Sequence, residues 1–250
     1  MISYQKIYTA YILASFLDTL GFNNGAWEFN WQKKISSLEA SLHMQLILYY
    51  QFLVQGGINK YSIKELKASD DTLLLMATSK GLLQGSEKKD FVEAYVEILP
   101  QLEDPKRGSG VATLKNLNYW RKVKKDCLYN RKYGGNGAAI RTGPIGIIYY
   151  QKKDIEKLVK TALDSSIITH NYVLGYLGGL TVAFFVSLAI REIEPWNWVK
   201  ELLKLAESGI IEKYFKKEEL KNYQKDKNRY WDKWREYNES RLDKFVSQEY

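Results

Sequence analysis

Ser69-Asp70-Asp71-Thr72 sets a hydroxyl, two adjacent carboxylates and a second hydroxyl ahead of the apolar run Leu73-Leu74-Leu75-Met76-Ala77. Ser favours the N-cap, and carboxylates in a first turn offset the positive end of a helix dipole. The same residues also make half of a hard-ion site. Mg²⁺ takes oxygen ligands, usually one or two carboxylates completed by water and substrate oxygens. Either reading places the group at a helix start. A second stretch, Leu17-Asp18-Thr19-Leu20-Gly21, continues through an Asn-Gly turn at Asn24-Gly25 to Trp27-Glu28-Phe29. A carboxylate lodged between two aromatics has a raised pKa, which makes Glu28 a candidate acid or base; a surface salt bridge is its alternative.

The third stretch is Tyr133-Gly134-Gly135-Asn136-Gly137-Ala138-Ala139-Ile140-Arg141, leading into Gly143-Pro144-Ile145-Gly146. A glycine-rich turn entering a helix lets backbone N–H groups converge on an anion. Its spacing matches neither the dinucleotide fingerprint nor the P-loop, and a plain tight turn is the alternative. The fourth is Ser165 followed by Thr169-His170, where His170 is either a ligand contact or a structural residue.

Composition narrows these chemistries. Cys127 is the only cysteine, so no internal disulfide forms, and His43 and His170 are the only histidines, which excludes a Cys/His zinc site. Any metal is therefore held by oxygens. The formal net charge of +8 favours phosphorylated or polyanionic partners. Its densest run, Arg121 to Lys132, reads as a solvated basic face; without a recognisable module or an aromatic-basic platform, nucleic acid is not an expected partner.

The elements that must position these residues all read as helices. Apolar residues recur at helical spacing over 7–21, 37–55, 72–84, 89–99, 110–124, 138–150, 154–168, 172–191, 196–206 and 216–246, and no alternating strand pair is found. The expectation is an all-α protein with a single domain over 1–250. The run Ile7 to Leu17 is expected as a buried first helix. Tyr172 to Ile190 has nineteen residues without a charge, near the length that crosses a bilayer, but Gly175, Gly178 and Gly179 interrupt it. It reads as the central helix of the domain, with no membrane partner. The segment from Lys216 is expected to pack its Tyr and Trp stripe on the body. Cysteine usage points to a reducing compartment, and the cytoplasm is the expected location.

Taken in order, Asp18-Thr19-Leu20-Gly21, Asn24-Gly25-Ala26-Trp27-Glu28-Phe29, Ser69-Asp70-Asp71-Thr72, Gly135-Asn136-Gly137-Ala138-Ala139-Ile140-Arg141, and Thr169-His170 with Gly175-Tyr176-Leu177-Gly178 resemble the ADP-ribosylglycohydrolase family. Within it they are most similar to the ADP-ribosylarginine hydrolase branch. The resemblance implies an orthogonally packed helical bundle whose cleft binds two Mg²⁺ ions. It makes Ser69, Asp70 and Asp71 metal ligands, puts Asp71 near the attacking water, and sets Glu28 on the cleft edge, with Asp70, Asp71 and Glu28 as the catalytic group. Gly135, Asn136, Gly137 and Ala138 would cradle the phosphates of ADP-ribose, with His170 beside the ligand. The implied reaction releases ADP-ribose from ADP-ribosylated protein at an arginine nitrogen; ADP-ribose binding without turnover is the alternative.

The sequence also departs from the family pattern. Leu17 and Thr19 stand where the family has Gly and Ala around the first Asp. The family's second acidic element, Gly-Asp-Ser-Asp-Ser/Thr, has no counterpart, and the chain contains no Asp-x-Asp. The resemblance therefore implies a domain incomplete at its carboxyl end, with the acidic segment missing or carried by a second polypeptide.

Overall fold

The computed structural model describes residues 3–27 and 37–243, and every regular element among them is helical. The amino-terminal helices are α1 (Tyr4–Phe22), α2 (Leu38–Val54), α3 (Gly57–Lys60) and α4 (Asp70–Gln84). Next come α5 (Lys88–Glu97), α6 (Leu99–Leu102), α7 (Val111–Val123), α8 (Gly137–Arg141), α9 (Gly143–Ile148), α10 (Ile155–Ile167) and α11 (Val173–Ile190). The chain closes with α12 (Trp198–Glu207), α13 (Ile210–Tyr214), α14 (Lys217–Asp226) and α15 (Asn228–Tyr237). The chain forms two compact units: Met1–Leu73 with Pro100–Ser109, and Leu74–Leu99 with Gly110–Tyr250.

In the first unit, α1 ends in a left-handed turn, with φ 47° at Asn23, 54° at Asn24 and 85° at Gly25. Asn tolerates this region better than most side chains, which suits the sequence Asn-Asn-Gly. The Asn24 side chain then fixes the approach to the acidic stretch. Its Nδ2 donates to the Glu65 carbonyl at 3.1 Å, and its Oδ1 accepts from the Lys67 N–H at 2.8 Å. The expectation of a buried first helix is corrected here. Tyr8, Ile12, Leu13, Phe16 and Leu17 are exposed, and only Phe22 of α1 is buried. The cause is that its apolar residues lie all round the helix and, among the described residues, too little of the first unit packs on α1 to cover every side.

In the second unit, α11 is the central element, packed by α8, α9 and α10 and by α12 and α15. It is long and apolar enough to cross a membrane, yet 61% of its residues are buried within the fold. Its glycines serve close approach. A Cβ at Gly179 would lie 2.1 Å from Ser166 Oγ, and one at Gly175 would lie 2.5 Å from the Tyr133 carbonyl oxygen. Much of the aromatic stripe packs as expected: Tyr223 and Trp231 are buried in the core, and Tyr230 Oη contacts Thr181 Oγ1 at 2.7 Å, whereas Tyr237 is exposed and Phe245 lies outside the described residues. The run Arg121 to Lys125 is exposed, as a solvated basic face should be.

Two expected helices are divided. The span 138–150 breaks at Thr142 into α8 and α9, because Pro144 occupies the first turn of α9 and has no N–H to continue the ladder. The span 216–246 divides at Lys227 into α14 and α15 while keeping helical backbone there, and α15 runs into a π-turn at Asn238–Leu242; residues 244–246 lie outside the described residues.

Candidate functional site

Ser69 is the N-cap of α4: its Oγ accepts from the Asp71 N–H at 3.1 Å. Asp18, near the end of α1, reaches this cap across 51 residues. Its Oδ2 accepts from the Ser69 N–H at 2.9 Å and from Thr72 Oγ1 at 2.6 Å, while its Oδ1 takes the Ser69 hydroxyl hydrogen at 2.6 Å. Both hydroxyls thus spend their single hydrogen on Asp18. Ser69 Oγ keeps one lone pair beyond the one used by Asp71, which is what a metal ligand needs. Ser69 and Asp70 are 3% and 9% exposed, so this start of α4 is largely desolvated. Arg107 Nη1 donates to the Ala68 carbonyl at 2.5 Å, fixing the preceding residue.

Asp18→Ala removes the acceptor of three hydrogen bonds at once. With the carboxylate half-buried, the expected loss is about 2 kcal/mol, or a fall in Tm of about 4–8 °C by calorimetry. An unchanged Tm would show that Asp18 does not hold the cap.

Glu28 lies outside the described residues. Its neighbour Trp27 packs on Phe52 and Tyr61, with ring centroids 6.4 and 6.1 Å apart.

In the second unit the glycine loop and His170 come together. A Cβ on Gly137 would lie 3.0 Å from His170 Cε1 and 3.3 Å from Nε2, and one on Gly135 would lie 3.5 Å from Nε2. The loop therefore runs along the Nε2 edge of the imidazole, and glycine is what allows it so close. The ring is 4% exposed. Burial first, and the charge of Arg141 second, hold its pKa down at about 3, so the ring is neutral across the physiological range.

Beneath the loop is Arg141, fully buried at the last position of α8. Its Nη2 donates to the Ser165 carbonyl at 2.8 Å and to Thr169 Oγ1 at 2.7 Å, its Nη1 to the Gly137 carbonyl at 3.2 Å, and its Nε to Tyr95 Oη at 3.2 Å. The guanidinium also lies over the Tyr95 ring, 4.7 Å from its centroid. No carboxylate among the described residues pairs with it. A desolvated cation held only by neutral oxygens leaves an uncompensated positive field under the loop, suited to an anion. This replaces the helix-terminus argument made from sequence, because α8 has five residues and sums few peptide dipoles. Asn136 caps α8 without a side-chain hydrogen bond, and Ala138 is buried beneath it.

Beside the loop opens a cavity of about 490 Å³ lined by Lys115, Asn116, Tyr119, Lys122, Asn130 and Tyr133, among others. Asn116 ties it to the histidine segment, donating from Nδ2 to the Thr169 carbonyl at 2.7 Å. Tyr95 and Asn116 are contributors that the sequence did not single out. Thr169 stood in the stretch with His170, but without a role of its own.

The ADP-ribosylglycohydrolase family model matches residues 5–248. The chain belongs to the ADP-ribosylglycohydrolase family. Its all-helical structure agrees with that membership. It is 32% identical over 242 residues to L444 of Acanthamoeba polyphaga mimivirus, a protein named as an ADP-ribosyl glycohydrolase, covering 91% of this chain and 46% of that relative. It is 27% identical over 262 residues to ADP-ribosylhydrolase ARH1 of Dictyostelium discoideum, covering 94% of this chain and 62% of ARH1. ADP-ribosylhydrolase ARH3 of Homo sapiens is 30% identical over 144 residues, 54% of this chain and 39% of ARH3. The chain thus spans about half to three-fifths of the length of the first two curated relatives.

Proposed function

We propose that this chain acts in the hydrolytic release of ADP-ribose from ADP-ribosylated protein. The observation that carries the reading is the family match over 5–248, which takes in both the acidic start of α4 and the glycine loop. Similarity to ARH1 favours the arginine N-glycosidic bond implied by the branch resemblance. The donor set Ser69, Asp70 and Asp71 is all oxygen and hard, and fits part of a Mg²⁺ shell. A bound Mg²⁺ would supply Lewis-acid polarisation of ribose hydroxyls and of water. The chain's own residues do the rest. Asp71 accepts the proton of the attacking water, and Asp18 takes the Ser69 hydroxyl hydrogen, which leaves a lone pair of that oxygen for a metal. Gly135–Ala138 and the buried charge of Arg141 anchor the phosphates, and anchoring a substrate limits the motion lost at reaction.

A second reading, ADP-ribose binding without turnover, is favoured by one observation: no group of three or more His, Cys, Asp or Glu able to hold a metal occurs among the described residues. One assay separates them. ADP-ribosyl-arginine is incubated with the protein and Mg²⁺ or chelator, and freed ADP-ribose is measured. The proposed hydrolase releases it only with Mg²⁺, and Asp70→Asn and Asp71→Asn each lower the rate by about 100-fold or more. Saturable ADP-ribose binding with no release at any Mg²⁺ concentration selects the second reading. Full activity in both Asn variants would defeat the assignment of the acidic pair.

A further inference from the structure

We propose that Arg141 and Thr169 form a positioning relay that holds His170 in its Nε2–H tautomer, so that the ring offers a neutral hydrogen-bond donor to an anionic group lying on the Gly135–Gly137 loop. The inference rests on the reading that this loop holds the phosphates of ADP-ribose, but its core is a proton assignment in the free protein.

The assignment follows from counting hydrogens. Thr169 Oγ1 is fully buried, accepts from Arg141 Nη2 at 2.7 Å, and lies 2.7 Å from His170 Nδ1. Its one hydrogen has no other acceptor among the described residues, and Nδ1 is the only ring atom within reach. A hydroxyl whose hydrogen pointed elsewhere would be a buried donor without a partner, a costly state. Thr169 therefore donates to Nδ1. An accepting Nδ1 carries no proton, and a neutral ring must then carry it on Nε2. Arg141 makes the choice one-sided, because a guanidinium can only donate: it fills a lone pair of Thr169 Oγ1 and turns the hydroxyl hydrogen away from itself. The nearby positive charge also disfavours a second proton on the ring.

Arg141 is itself held by an ordered chain of hydroxyls. Thr78 Oγ1 donates to the Leu74 carbonyl at 2.9 Å, so at its 2.7 Å contact with Tyr95 Oη it accepts. Tyr95 Oη, having given its hydrogen to Thr78, accepts from Arg141 Nε and from Ser165 Oγ at 2.7 Å. Every hydroxyl hydrogen from Thr78 to Thr169 thus has one place. The outlet is Nε2: it makes no hydrogen bond to another described residue and faces the two glycines whose missing side chains leave room for a ligand oxygen.

The test is long-range ¹H–¹⁵N correlation of the ¹⁵N-histidine-labelled full chain near neutral pH, where only His43 and His170 contribute signals. The expected spectrum shows His170 protonated at Nε2 and bare at Nδ1. Thr169→Val should relax it to a tautomer mixture and raise the calorimetric Kd for ADP-ribose about tenfold, the effect of one lost, well-placed hydrogen bond. Thr169→Ser should restore both. An Nδ1–H tautomer in the unaltered protein overturns the relay, and an unchanged Kd in a folded Thr169→Val with mixed tautomers overturns its positioning role. If the unaltered protein shows the Nε2–H form but binds no ADP-ribose, the relay stands and the proposed function fails instead.

Discussion

Gly146→Ala is expected to cost about 3 kcal/mol and to lower Tm by about 6–12 °C, although alanine is the better helix former by about 1 kcal/mol. A Cβ at Gly146 in α9 would stand 2.1 Å from the carbonyl oxygen of Ala183 and 2.9 Å from Val186 Cβ, both in α11. The first obstacle is helix backbone, so no rotamer change relieves it. α9 would have to move from α11 as a whole, opening gaps along a tightly packed contact. Gly178 gives the opposite sign. There a Cβ would meet only Ala139 Cβ at 3.6 Å, ordinary contact, so Gly178→Ala keeps the propensity gain and is expected to be neutral or stabilising by up to about 1 kcal/mol. Urea unfolding of the two variants beside the parent decides it. Equal effects at both positions would mean that α9 and α11 do not approach as closely as the structure has them.

The same contrast shows what the sequence could and could not disclose. The cap at Ser69 was legible because a cap is local: hydroxyl, carboxylates and apolar run lie within a few residues. That Asp18 completes it was not, since nothing in helical spacing links positions 51 apart; the hint was an Asp inside an otherwise apolar run. Pro144 announced a break, but the recurrence of apolar residues masked it until the missing N–H was placed in the first turn of α9. For α1 the sequence pointed the wrong way. Apolar character all round predicted burial, whereas burial also needs neighbours to cover every side, and these belong to tertiary structure. Arg141 is the clearest case. An Arg in the last turn of a short helix is ordinarily a solvated dipole partner. Its burial depends on Tyr95 of α5 and on Ser165 and Thr169 at the end of α10, and neither segment announces a partner for it.

Acid should destabilise the protein through His170, and the sign follows from where the ring is protonated. Unfolded, an imidazole titrates near 6.5; folded, burial and then the Arg141 charge hold this one at about 3. Above about pH 6.5 neither state carries the proton, and His170 contributes its full stability. Between about 6.5 and 3 the unfolded chain binds a proton that the native ring refuses, so stability falls with pH at up to about 1.4 kcal/mol per unit. Carboxylates join in near pH 5 and below, which makes 6.5 to 5 the informative window, with a loss there of about 1–2 kcal/mol from this one side chain. His170→Gln keeps a side chain able to accept from Thr169 but cannot titrate. Urea midpoints measured from pH 7 to 5 should therefore slope for the parent and flatten for the variant. The variant will start lower at pH 7, because an amide does not fill the ring's place. Parallel slopes would mean that the folded ring protonates as readily as the unfolded one. That would put a second proton on the edge facing Thr169, where the hydroxyl already held by Arg141 would have to reverse its hydrogen.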